Sequence, residues 1–137
     1  MTDNETDLDY SQREAITKDI DKKLTTDWVE GLKLLRSYDN HESEDLKRDI
    51  LAMVWRFALR SNDSTVRQEL VNYLLDVVAH ETLFLQGQAI KFLQDFSPSD
   101  FDKRATERLE SWSWAEEYGS EIIRLIGIAE IHSKTLE

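Results

Sequence analysis

Three stretches of this chain carry the same apolar pattern, and their spacing constrains the fold more than any other feature. Ile50-Leu51-x-Met53-Val54-x-x-Phe57, Ala89-Ile90-x-Phe92-Leu93-x-x-Phe96 and Ile122-Ile123-x-Leu125-Ile126-x-x-Ala129 follow one another at steps of 39 and 33 residues. A second set begins at Val29, Val66 and Phe101, at steps of 37 and 35. Each stretch alone is an amphipathic helix, and two such helices always match in part. Two interleaved sets with a common spacing of about 36 residues imply a helical hairpin repeated along the chain, because a hairpin that cannot bury its own apolar face must bury it on the next.

Local signals place the helices. Ser11 to Glu14 reads as a capping box opening a first helix over about 11–24, whose apolar stripe is thin. Thr25, Thr26 and Asp27 offer cap oxygens for a second, about 26–38, with Trp28, Val29, Leu32, Leu35 and Tyr38 at three- and four-residue steps. A third helix, about 44–60, carries Leu46, Ile50, Met53, Val54, Phe57 and Ala58, with Leu51, Trp55 and Leu59 widening the stripe so that it packs on two sides. The turn Ser61 to Ser64 launches a fourth, ending near residue 80, with Val66, Leu70, Tyr73, Leu74, Val77 and Val78 inward. A fifth, about 82–96, turns Leu85, Ala89, Ile90, Phe92, Leu93 and Phe96 inward. Ser97 as N-cap and Pro98 at the first helical position, with Asp100 at the positive helix end, predict a sixth helix ending near Ser111. The connection Trp112 to Gly119 precedes a seventh, about 120–133.

The expectation is therefore an all-α chain. Four Gly and one Pro in 137 residues leave little punctuation for a strand-rich fold, and this length suits one domain. Residues 11–133 are read as a single helical-repeat domain between an acidic, disordered tail at 1–10 and a C-terminal tail at 134–137.

The run from Leu59 through Asn62, Asp63, Val66 and Arg67 to Leu70 resembles the turn of a HEAT repeat, where an Asp in a tight turn precedes a Val-Arg pair opening the second helix. The preceding hairpin has Thr26, Asp27, Trp28 and Val29 at that turn with no matching arginine, and the following one has Ser97, Pro98, Asp100 and Phe101. Resemblance to HEAT and armadillo proteins implies a right-handed α-α superhelix, here of about seven helices in stacked antiparallel pairs. Its hairpins would be 11–38, 44–80 and 82–111, with the last helix as a cap. The resemblance also implies that second helices line a concave face, placing Glu30, Lys33, Asn72, Asp76, Glu107 and Arg108 there.

Motifs for catalysis or for holding a cofactor or metal are not found in the sequence. It has no cysteine, no glycine-rich phosphate loop and no G-x-S-x-G elbow, and His41, His80 and His132 stand far apart near helix ends, where a histidine ordinarily serves the helix dipole. The acid pairs Asp45 with Asp49 and Glu116 with Glu117 read as solvated dipole partners rather than proton-sharing dyads. The expectation is a protein without enzymatic activity, cofactor or metal.

Seventeen basic against 28 acidic side chains give a formal net charge of -11, which repels nucleic acid and anionic membranes and favours a basic protein partner, the competing reading being that the acidity only keeps the chain soluble. Lys33, Arg36, Arg67, Lys103, Arg104 and Arg108 would have to form a basic stripe for the one enzymatic branch the resemblance offers, the HEAT-like DNA glycosylases, and the net charge opposes it. With an acidic start and no apolar run long enough to span a bilayer, the chain is assigned to the cytoplasm.

Candidate partner-binding residues concentrate near the C-terminus. Trp112, Trp114, Glu116, Glu117, Tyr118 and Glu121 combine aromatic anchors with charge, the composition of interface hot spots; both tryptophans folded over the last helix is the competing reading. Ile128 and Ile131 fall outside the inner face of the last helix, so either the tail covers them or a second molecule does, including a second copy of the chain. An acidic inhibitor of the immunity-protein or antitoxin type and a scaffold holding a peptide or helix are the two functional expectations.

Overall fold

A computed structural model describes residues 8–111, which form six α-helices and one 3-10 turn, with no strand among them. The expected helix over 120–133 lies outside the described residues, as do 1–7 of the acidic tail. The chain divides between Phe57 and Ala58 into two compact units.

In the first unit α1 (Tyr10–Thr26) begins earlier than its sequence signal suggests. Asp9 is the N-cap: its Oδ1 accepts the Gln12 N–H at 2.8 Å, and Gln12 Oε1 accepts the Asp9 N–H at 2.9 Å. This reciprocal pair takes the place of the expected Ser11 and Glu14 box, and it leaves Glu14 free to bond Tyr10 and Lys18 instead. Asp27 then closes one helix and opens the next, donating its N–H to Lys23 O and accepting the Glu30 N–H at the start of α2 (Trp28–Arg36). Two helices joined by one residue must fold back closely, and Gly31 permits it. A Cβ there would stand 2.6 Å from the backbone N and Cα of Leu24.

The polar connection 37–43 ends at Ser43, which is buried and whose Oγ accepts the Leu46 N–H at the start of α3 (Glu44–Arg60). Leu46, Ile50, Leu51, Met53, Val54 and Ala58 of α3 are buried, whereas Leu59 is exposed. On α2 only Gly31 and Leu35 are fully enclosed, and Val29 is exposed.

In the second unit α4 (Ser64–His80) is capped by Asp63, whose Oδ1 accepts the Thr65 and Val66 N–H groups. Every apolar residue expected on its inner face is buried, and Val71 and Leu75 are buried too, so α4 is enclosed on nearly all sides. It packs on α5 (Leu83–Leu93), on a 3-10 turn (Pro98–Asp100) and on α6 (Lys103–Ser111). Ser97 and Pro98 thus open the 3-10 turn rather than α6 itself. The chain stops at Phe101, whose fully buried ring anchors the corner, and restarts with Asp102 Oδ1 accepting the Ala105 N–H at 3.0 Å. Complete burial of a Leu such as Leu70 or Leu74 stabilises by roughly 1.5–3 kcal/mol, which is what holds the enclosed helix in place.

Candidate interaction surface

Polar side chains tie α4 to the corner and to α6 in a fixed order. Arg67 Nε and Nη2 donate to Asp100 Oδ1 and Oδ2 at 2.9 and 2.8 Å; Arg104 Nη2 meets Glu69 Oε2 at 2.7 Å; Arg108 Nη2 meets Asp76 Oδ1 at 2.6 Å. Rising numbers on α4 meet rising numbers beyond it, so α4 and α6 run side by side in the same direction. Partners in the three links are 33, 35 and 32 residues apart, and Arg108 also donates to the Asn72 carbonyl 36 residues before it. In the first unit Arg13 Nε donates to Asp49 Oδ2 at 2.8 Å, again at a separation of 36. The ladder therefore has the period of the apolar pattern.

Arg67 is its best-built rung. The guanidinium clasps Asp100 through two nitrogens, donates from Nη1 to the Leu59 and Ser61 carbonyls at the end of α3, and lies 5.8 Å from the centre of the Phe96 ring. Burial alone would raise the Asp100 carboxyl, but Arg67 and the Ser97 N–H hold it below the usual carboxylate range, and Arg67 in turn holds its own proton more firmly. Asp102 is depressed in the same way, with the Ala105 N–H, Arg104 and Asn72 outweighing burial. Asn72 spends its amide nitrogen on Gln68 O and both Asp102 oxygens, and its buried Oδ1 has no partner among the described residues.

The residues expected on the inner face thus separate. Asn72, Asp76 and Arg108 come together in the ladder, while Glu107 is exposed beside it and Glu30 and Lys33 pair with each other, at 3.4 Å. Five of the six basic residues that a DNA-gripping stripe would need already meet a carboxylate. Lys33 faces Glu30, Arg36 faces Asp39 at 3.6 Å, and Arg67, Arg104 and Arg108 belong to the ladder. Lys103 is exposed.

Asp45 pairs with Arg48 and Asp49 with Arg13. His80 ends α4, as expected of a residue serving the dipole, whereas His41 stands in a connection and accepts the Ser43 N–H through Nδ1 at 3.0 Å. Among the described residues no group of three or more acidic or histidine side chains is placed to hold a metal ion. Trp112, Trp114, Glu116, Glu117, Tyr118, Glu121, Ile128 and Ile131 lie outside the described residues, as does His132. Glu69 and Arg104 as a pair escaped sequence reasoning. The available signal was opposite charge at the repeat spacing.

No protein-family model, curated protein or solved structure matches this chain. No helix among the described residues is long and apolar enough to cross a membrane.

Proposed function

We propose that this chain is a HEAT-like stack of helical hairpins that works without catalysis, binding a cationic protein and inhibiting it by occupation, as immunity proteins and antitoxins do. Two features support the repeat reading: links at 32 to 36 residues, and the clasp from Arg67 behind one turn to Asp100 in the next. The observation that carries the binding reading is the pairing of Arg13, Arg36, Arg48, Arg67, Arg104 and Arg108 with carboxylates of the same chain. Where a cation already has an in-chain carboxylate, it adds nothing to attraction for phosphate, and the surplus that a partner meets is negative. Residues 8–111 hold twenty acidic and fifteen basic side chains, and the remaining surplus belongs to the two ends of the sequence. The aromatic and acidic run Trp112 to Glu121 supplies anchors beside part of that charge.

Capture of the native partner with the purified chain as bait, followed by stopped-flow association at rising salt, tests this. A basic partner whose association slows at least tenfold between 20 and 300 mM salt is the expected result, roughly what steered encounter gives. An acidic partner, or a rate indifferent to salt, overturns it.

A second reading is a scaffold that holds a peptide, a helix or a second copy of itself through the helix expected over 120–133, motivated by the sequence periodicity that would put Ile128 and Ile131 off its inner face. Ile128→Glu and Ile131→Glu would then abolish assembly with unchanged circular dichroism, and unfolding of both variants would refute it. Kinship with the HEAT-like DNA glycosylases is the remote third reading, disfavoured by the paired arginines, and absence of base release from alkylated DNA at high protein concentration ends it.

A further inference from the structure

A hydrogen bond that only a neutral imidazole can make closes the connection between α2 and α3. His41 accepts the Ser43 N–H through Nδ1 at 3.0 Å, so Nδ1 presents a lone pair and the ring proton sits on Nε2. Ser43 is 7% exposed and is tied into α3 twice more: its Oγ accepts the Leu46 N–H at 3.2 Å, and its carbonyl accepts the Lys47 N–H at 3.1 Å. His41 is half-buried, its own N–H donates to the Tyr38 carbonyl at 3.0 Å, and its ring stands 6.2 Å from that of Tyr38. The bond therefore joins the turn over 38–41 to the residue that caps α3.

Imidazole is the side chain whose charge ordinarily changes between pH 8 and 5, and once protonated both of its nitrogens are donors. A proton taken from solvent at Nδ1 would face the Ser43 N–H, donor against donor, and that N–H has no other acceptor among the described residues. Ser43 is fixed by its bonds to Leu46 and Lys47, so the ring is the part that moves. The adjoining segments decide where it goes. Asp39 and Glu42 in the connection and Glu44 and Asp45 at the start of α3 are acidic, against Arg36 of α2 and Lys47 and Arg48 of α3. Arg36 meets Asp39 at 3.6 Å, Arg48 meets Asp45 at 3.2 Å, and α1 brings Arg13 to Asp49, one turn after Asp45. The positive N-terminal end of α3 repels an imidazolium and the exposed carboxylates of Glu42 and Glu44 attract it, so both draw it off Ser43.

We propose that His41 is an acid-released latch on this connection. Neutral, it holds the Ser43 N–H and secures the cap of α3; protonated, it lets go, and residues 38–43 open while both helices persist. The latch goes beyond the binding reading and does not rest on it, since it follows from one hydrogen bond and from the chemistry of the ring.

The test is nuclear magnetic resonance of the isotope-labelled full chain between pH 8 and 5, above the range in which carboxylates ordinarily titrate. The Ser43 amide shift should follow the same midpoint as the His41 ring carbons. Its protection factor, corrected for intrinsic exchange, should fall about tenfold across that range, the factor carried by one lost hydrogen bond, while Leu70 and Leu74 in the other unit keep theirs. His41→Asn puts an amide oxygen near the place of Nδ1 that takes up no proton, so Ser43 should stay protected and indifferent to pH; His41→Ala should leave it poorly protected throughout. The wild-type ring gives a check that needs no variant: its nitrogen shifts at pH 8 should report the Nε2–H tautomer, and the Nδ1–H tautomer overturns the proposal. So does a Ser43 amide equally protected at both ends of the range while His41 titrates, or a His41→Asn chain that keeps the wild-type response to pH.

Discussion

Gly31 and Gly87 are both helical glycines, yet space decides opposite outcomes for adding a methyl group to each. A Cβ at Gly31 collides with the Leu24 backbone, which has no flexible end to move aside, so Gly31→Ala must push α2 off α1. It should cost about 1–3 kcal/mol in urea unfolding, the range for overpacking. Gly87 meets nothing within 4 Å among the described residues, so Gly87→Ala removes only backbone freedom from the unfolded chain and should stabilise by about 0.5–1 kcal/mol. Asp100 makes a prediction in pH. A carboxyl held below its unfolded value binds fewer protons in the native state, so its stabilisation is present above about pH 4 and fades as pH falls through the native value. At pH 7, Asp100→Asn should cost about 1.5–3 kcal/mol, the range for hydrogen bonds to charged groups. The difference between wild type and variant should shrink toward pH 2; a gap independent of pH would mean that packing of the corner, rather than the charge, is what the residue supplies.

Between elements, burial separates links that look alike on paper. The Asp100 side chain is 8% exposed and bound through both oxygens, whereas Arg104, opposite Glu69, is 59% exposed. Double-mutant cycles should therefore give a coupling of at least about 1.5 kcal/mol for Arg67 with Asp100, and about 0.2–1 kcal/mol for Arg104 with Glu69. Equal couplings would show that solvent screening does not rank the rungs. These links also mark what the sequence made legible. Apolar periodicity is a property of one helix at a time, so the buried faces of α3, α4 and α5 could be read directly, down to Leu46, Leu70 and Leu85. Helix starts are a competition among nearby oxygens, and Asp9 prevails over Ser11 because Gln12 reciprocates it. The Asp63 turn was legible because its cap is local, while Arg67 was legible only as part of a motif. Its partner Asp100 lies 33 residues on, and a pairing at that distance depends on where the helices pack rather than on either residue alone.

For the whole chain, acidity sets two opposing responses to salt. Ladder contacts at 2.6 to 2.9 Å are far shorter than any Debye length, and several are partly buried, so added salt barely weakens them. Repulsion among the carboxylates of a chain with a net charge of -11 acts over longer distances and is screened once the Debye length falls from about 30 Å at 0.01 M to about 8 Å at 0.15 M. That repulsion opposes the folded state, where charges are closest together. Raising sodium chloride from 0.01 to 0.15 M should thus stabilise the chain, moving the urea midpoint upward by roughly 0.3 M for a slope typical of small proteins. Such a gain would have a functional counterpart, because the uncompensated charge that destabilises the free protein is the same charge that a basic partner would neutralise. A saturating basic partner should then raise the low-salt midpoint and flatten its dependence on salt. A midpoint that falls with salt in the free chain would instead mean that the ion pairs outweigh the repulsion and that the surplus charge is too dispersed to steer a partner.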